Sequence, residues 1–197
     1  LGGLAPGTLT AVVASPGPAA TAAMAAAAHH GACTGGHPTL FYPLRSTAAG
    51  IARVLAHTHA QADPDSDGMT GAVADLRTCP LYVSLGSPVT VSRIMADALD
   101  DDMDAPRLIV VDAVALLHPG GAGRDLKTLA LELNVPVLCS TTVNTSGADR
   151  PVTAADAPAD LAAAADTIVA LRPLPLPATA AGRPRPQPIS PIRPTHR

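Results

Sequence analysis

Two places in this 197-residue chain put side chains where phosphate chemistry could be done. Ser15-Pro16-Gly17-Pro18-Ala19-Ala20-Thr21 lies between an apolar run, Leu9 to Ala14, and an alanine-rich stretch that begins at Ala19. A strand, a tight turn and a helix opening on a hydroxyl residue can offer backbone N–H groups to phosphate and an oxygen to Mg²⁺. The second place is Asp112, a carboxylate that ends the apolar run Leu108-Ile109-Val110-Val111. Two residue types that such chemistry usually requires are nearly missing. The chain has one lysine, Lys127, and one glutamate, Glu132. A mechanism that needs either type elsewhere is excluded.

Two other clusters carry less. His29, His30, Cys33 and His37 match no compact metal-ligand spacing, and a solvated helix end is expected there. Asp100-Asp101-Asp102-Met103-Asp104 lacks the glycine and terminal glutamate of a calcium loop and reads as a charged helix end. The three cysteines, Cys33, Cys79 and Cys139, are odd in number, widely spaced and in no CxxC pattern. Neither a disulfide framework nor a structural metal is expected, and a reducing cytoplasm fits. Leu1 to Gly7 has no basic stretch like that of a signal peptide, and no apolar run approaches the length of about 18 residues that spans a bilayer. The expectation is a cytoplasmic protein with no membrane contact. A net charge of −3 argues against a globally basic nucleic-acid binder.

These residues need a scaffold, and apolar runs alternating with helix-like segments predict one of βα units around a parallel sheet. Strands are expected at 9–14, 39–42, 81–84, 108–112, 135–140 and 167–171. Helices are expected at 19–30, about 47–58, 89–99, 125–133 and 159–165. His57 and His59 then fall at a helix end, where they complement its dipole. Residues 61–71 are polar, rich in Asp and Gly, and read as a loop. Hydrophobic residues make up 47% of the chain, yet aromatics are only 2%, so Val, Leu and Ile must supply most of the core. From Arg172 onward, prolines at short intervals with Arg183, Arg185, Arg193 and Arg197 predict an extended tail over 172–197, beyond a domain of residues 1–171. Such a tail is solvated, or touches phosphate or a proline-reading domain.

The order of motifs resembles the C-terminal RecA-like motor domain of DnaB-type replicative helicases, with the recA/KaiC branch of that superfamily as the alternative. Gly2-Gly3-Leu4-Ala5-Pro6-Gly7-Thr8-Leu9 resembles the lead-in to that motor. Pro80-Leu81-Tyr82-Val83 resembles its third strand, and Arg107 to Asp112 its Walker B strand. Leu126-Lys127-Thr128-Leu129-Ala130-Leu131-Glu132-Leu133-Asn134-Val135-Pro136-Val137 follows the family run most closely, and Ala165-Asp166 is similar to the acidic segment before the last strand. The resemblance implies an α/β, RecA-like P-loop fold with a mostly parallel sheet flanked by helices. It also implies Mg-ATP as cofactor, with RecA-like or replicative helicase subunits and DNA as partners.

In that register the reactive positions are altered. The family's Gly-Lys-Thr falls on Ala19-Ala20-Thr21, so only the hydroxyl remains. Pro18 removes a possible N–H donor, whereas Pro16 has a family counterpart. A charge-assisted contact contributes roughly 1.5–3 kcal/mol, so losing the lysine alone weakens binding about tenfold or more. The catalytic glutamate falls on Arg45, which cannot accept a proton. General-base catalysis contributes about 10²–10⁴ in rate, so hydrolysis is not expected. Arg45 reads as a solvated charge or as a partial replacement for the missing cation. The sensor glutamine falls on Thr142, and the loop after it, 145–149, lacks basic residues, which puts DNA binding in doubt. Asp112 keeps the Walker B place, or is a strand-end Asp bonded to local backbone; with Thr21 it is a metal ligand only where Mg-ATP binds. Arg150 stands where the family carries an inter-subunit arginine finger, or is a surface charge. Three readings follow: a non-hydrolysing homologue acting as an assembly or regulatory partner, an ATP-dependent DNA helicase with an atypical P-loop, or a paralogue without a present role.

Overall fold

A computed structural model describes residues 3–62, 68–86, 88–117, 122–144 and 150–172. Six strands form one sheet: β1 (Leu9–Ala14), β2 (Thr39–Pro43), β3 (Leu81–Val83), β4 (Leu108–Asp112), β5 (Val137–Thr142) and β6 (Thr167–Leu171). Their spatial order is β3-β2-β4-β5-β1-β6, and every recorded pairing is parallel. The helices are α1 (Ala19–His29), α2 (Ala48–Ala62), α3 (Gly68–Leu76), α4 (Val91–Ala98), α5 (Ala122–Leu133) and α6 (Ala159–Ala164). No helix of the described residues is long and apolar enough to cross a membrane.

Strand alternation sorts the core into two layers. Leu9, Ala11, Leu40, Tyr42, Ile109, Val111, Val137 and Cys139 pack with Ile94 of α4, Leu126 and Leu129 of α5 and Leu161 of α6. Val12, Phe41, Leu108, Val110 and Leu138 face the other way, against Met24 and Ala28 of α1 and Ile51 and Leu55 of α2. Alanine suits α1 twice over. It has the highest helix propensity, and its small side chain lets the helix lie close to the sheet. Burial pushes the thiol of Cys139 up to about 12, so it behaves as a small apolar side chain.

The motif residues outside the reactive positions hold elements together. Lys127 Nζ donates to Gly7 O (2.9 Å) and to both Asp166 oxygens (2.8 and 3.0 Å), and Asp166 Oδ2 also accepts from Leu9 N (2.7 Å). One ion pair thereby ties α5 to the starts of β1 and β6. Asn134 ends α5 at φ 52, and Gly7 turns into β1 at φ 72.

Four expectations need correction. Residues 61–71 are not all loop: Gln61 and Ala62 finish α2 and Gly68 begins α3, with residues 63–67 outside the described set. Gly68 and Gly71 hide that helix from propensity, and packing stabilises it, since Ala72 is fully buried. Strand β5 begins at Val137, two residues later than expected. Cys33 and Cys79 are joined in a disulfide, their Cα atoms 4.9 Å apart across 46 residues of sequence. No spacing rule foretells this pair. It forms because a π-helical turn, His30–Thr34, carries Cys33 past the end of α1 to the turn that follows α3. Lastly, His29 is not at a solvated helix end: it is buried, its Nε2 2.9 Å from Nδ1 of His59, which lies in the last turn of α2 as expected and is buried as well. The expected tail, 172–197, lies outside the described residues apart from Arg172, as do the 145–149 loop and Gly2.

Candidate functional site

The carboxyl ends of parallel strands form a crevice where strand order switches direction, and the chemistry-bearing residues gather there. Strand β1 delivers Ser15, Pro16, Gly17 and Pro18, the last three exposed, and α1 opens at Ala19. Gly17 has φ 148, a backbone state that side-chain-bearing residues rarely adopt. The first turn of α1 has no side-chain cap, because Pro18 holds the capping place. Ala19 is exposed and the Ala20 methyl is buried, so neither brings a polar side chain to the turn.

Thr21 and Asp112 meet. The Thr21 hydroxyl donates to Asp112 Oδ2 at 2.6 Å, and the Ser140 hydroxyl donates to Asp112 Oδ1 at 2.6 Å. Ser140 Oγ also accepts from the N–H of Ala113 (2.9 Å), a residue held at φ 63. Asp112 is 2% exposed, and the hydroxyls of Thr21 and Ser140 are its only side-chain partners among the described residues. Ser140 was not singled out in the sequence. Its only signal was a hydroxyl following the apolar run Val137-Leu138-Cys139 in the strand next to the one ending in Asp112.

Beside this network a cavity of about 480 Å³ is lined by Gly17, Pro18, Thr21, Arg45, Ser46 and Thr47, among others. Arg45 is exposed on its wall, and its Nη2 donates to Thr142 Oγ1 at 3.2 Å, so two positions matched separately in sequence touch in space. Arg150 does not line this cavity and bonds elsewhere. It makes a two-pronged pair with Asp156, Nη1 to Oδ2 at 2.8 Å and Nη2 to Oδ1, while Asp156 also accepts from Thr153 N and Oγ1. Those bonds hold the Asp156 carboxyl well below the usual carboxylate range, the Arg150 pair first among them. The acidic run is as expected: α4 ends at Ala98, and Asp100 Oδ1 accepts from Asp102 N (3.1 Å) in an exposed turn.

No family model and no curated protein matches the sequence. Solved structures do match in fold. A DnaB-like replicative helicase, described with its interactions with primase, superposes with a TM-score of 0.71 at 17% identity, covering 84% of this chain and 47% of that one. A second solved structure, an isolated ATPase domain, superposes with a TM-score of 0.69 at 19% identity, covering 84% of this chain and 69% of the other. The present chain thus spans under half the length of the first of these proteins. Parallel sheet, flanking helices and crevice together give it the RecA-like α/β fold of the DnaB-like helicase ATPase domain.

Proposed function

We propose that this chain is a replicative-helicase-related RecA-like module that does not hydrolyse ATP and acts by packing against RecA-like subunits of a replication assembly. One observation carries the reading. Where the turn opens α1, the side chains are Pro18, Ala19 and Ala20, and the first polar group, the Thr21 hydroxyl, is already bonded to Asp112. A triphosphate needs several N–H donors and a cation at that turn. Arg45 is the one cation lining the cavity among the described residues, and it bonds Thr142 and cannot act as a base. The shell of the fold, in contrast, keeps its ties, Lys127 to Asp166 foremost. The similar helicase is known with primase, and a partner from the same replication machinery fits a module that retains its packing surfaces.

The experiment is a titration of the full chain with a fluorescent ATP analogue and Mg²⁺, followed by a phosphate-release assay. No saturable binding at micromolar concentrations and no release are expected. Gel filtration with and without an intact DnaB-type helicase then tests the partner; separate elution would overturn the assembly role. The cavity and the Thr21–Asp112 pair favour a second reading, an ATP-dependent DNA helicase with Arg45 compensating phosphate charge. Tight Mg-dependent nucleotide binding with release of phosphate would decide for it.

A further inference from the structure

At the opposite end of the strands, three groups that bind borderline-soft metal ions lie together and a fourth is bonded to one of them. Helix α1 starts at the crevice and runs back toward the amino ends of the strands, so His29 lies about 12 Å of helix from Thr21. There His29 meets His59 from α2, Cys33 from the π-helical turn, and Cys79 from the turn after α3. One donor atom each from His29, Cys33 and His59 lies within 4.8 Å of the others, and Cys79 sulfur is bonded to that of Cys33. Tetrahedral zinc, with bonds of about 2.0–2.3 Å, needs donors roughly 3.3–3.8 Å apart. The His29, Cys33 and His59 donors are within an ångström or so of that spacing, and Cys79 joins them as a separate donor once its bond to Cys33 is broken. One donor also lacks an alternative role. His59 Nε2 is buried without a hydrogen-bond partner among the described residues; Asp75 Oδ2 stands 3.5 Å away in an ion-pair contact only. An unpartnered buried ring nitrogen costs stability, which a second-shell carboxylate or a bound ion relieves.

We propose that reduction of the Cys33–Cys79 disulfide creates a zinc site of two thiolates and two imidazoles, from Cys33, Cys79, His29 and His59. A dithiol supplies two electrons, its own sulfurs pairing as the Cys33–Cys79 bond breaks and two thiols form. Each thiol then loses its proton as its sulfur bonds the ion, so two protons are released per zinc. The ion and the disulfide are alternative clasps on one spot. The disulfide fastens the turn after α1 to the turn after α3 under oxidising conditions, and the ion, under reducing conditions, would add α2 through His59. Sulfur and imidazole donors in tetrahedral array select zinc over hard cations such as Mg²⁺ or Ca²⁺.

The test uses the full chain, reduced with a water-soluble phosphine, stripped with a chelator and titrated with Co²⁺. A thiolate-to-cobalt charge-transfer band and the intense visible bands of tetrahedral cobalt should rise to one equivalent and vanish on adding zinc. The oxidised chain should give neither. Competition with a chromophoric chelator should show zinc affinity falling by at least about tenfold in His29→Ala and in Cys79→Ser. Circular dichroism of each variant separates ligand loss from unfolding. Where a variant unfolds, the reduced and oxidised wild-type chains give the same contrast without mutation. Bands of octahedral cobalt only, equal zinc affinity in both redox states, or unchanged affinity in a folded variant would overturn the site.

Discussion

At the scale of single residues, the test of the crevice is to restore what it lacks. Ala19→Gly with Ala20→Lys returns a glycine and a cation to the turn without touching the Thr21–Asp112–Ser140 network. A charge-assisted contact to phosphate contributes roughly 1.5–3 kcal/mol, so Mg-ATP affinity should rise about tenfold or more over the wild-type chain. Turnover should stay absent, because Arg45 still stands in place of a base. The measurement is the same fluorescent-analogue titration. A folded double variant with no gain in affinity would show that the turn is not a phosphate site. Thr21 and Asp112 were legible as a pair because motif spacing names residues that strand and helix ends bring together. Ser140 was not, since its role depends on β5 lying beside β4, which no local pattern states. Nor was the Arg150–Asp156 pair, which engages Arg150 within its own chain.

At the scale of elements, two contacts decide how α5 sits. Gly123 lies where α5 passes α6, and a Cβ there would come within 2.6 Å of Asp160 O and 2.9 Å of its carbonyl carbon. Alanine gains about 0.8–1 kcal/mol of helix propensity over glycine, but the obstacle is backbone, and overpacking costs typically about 1–3 kcal/mol. Gly123→Ala should therefore lower the urea midpoint; a rise would mean α6 can shift freely. The second contact is Lys127 with Asp166, whose carboxyl is held below its usual range by the lysine first and the Leu9 N–H next. A depressed folded pKa means the contribution is complete above about pH 4 and fades as pH falls through the folded value. Asp166→Asn should thus be less stable than wild type near neutrality, the difference shrinking in acid. Parallel urea midpoints from pH 7 to about pH 2 would show that the Asp166 charge contributes nothing that titrates. Lengths and positions of most elements were legible because periodicity changes between strand and helix. Helix α3 was not, because its glycines oppose helix and only its packing beneath α2 favours it.

At the scale of the whole molecule, the parallel sheet was legible in six apolar runs, but the balance that keeps it folded was not. With aromatics at 2% and alanines standing beside Val, Leu and Ile among the buried residues, part of the core removes little area from water. A covalent clasp between distant segments then matters more than in a richer core. The Cys33–Cys79 link closes a 46-residue span, and constraining an unfolded loop of that length is worth about 4 kcal/mol in the chain-entropy account. That is a large share of the roughly 5–15 kcal/mol by which domains of this size are stable. Reduction by phosphine with a chelator present should therefore lower the unfolding free energy by about 2–4 kcal/mol, read from urea titration. A Cys33→Ser/Cys79→Ser double variant should start near that lower value and ignore the reductant. Coincident curves for oxidised and reduced wild-type protein would mean that the apolar layers alone hold α1 and α3 in place. A loss confined to the reduced, metal-stripped chain would place the clasp among the main supports of a fold poor in aromatics.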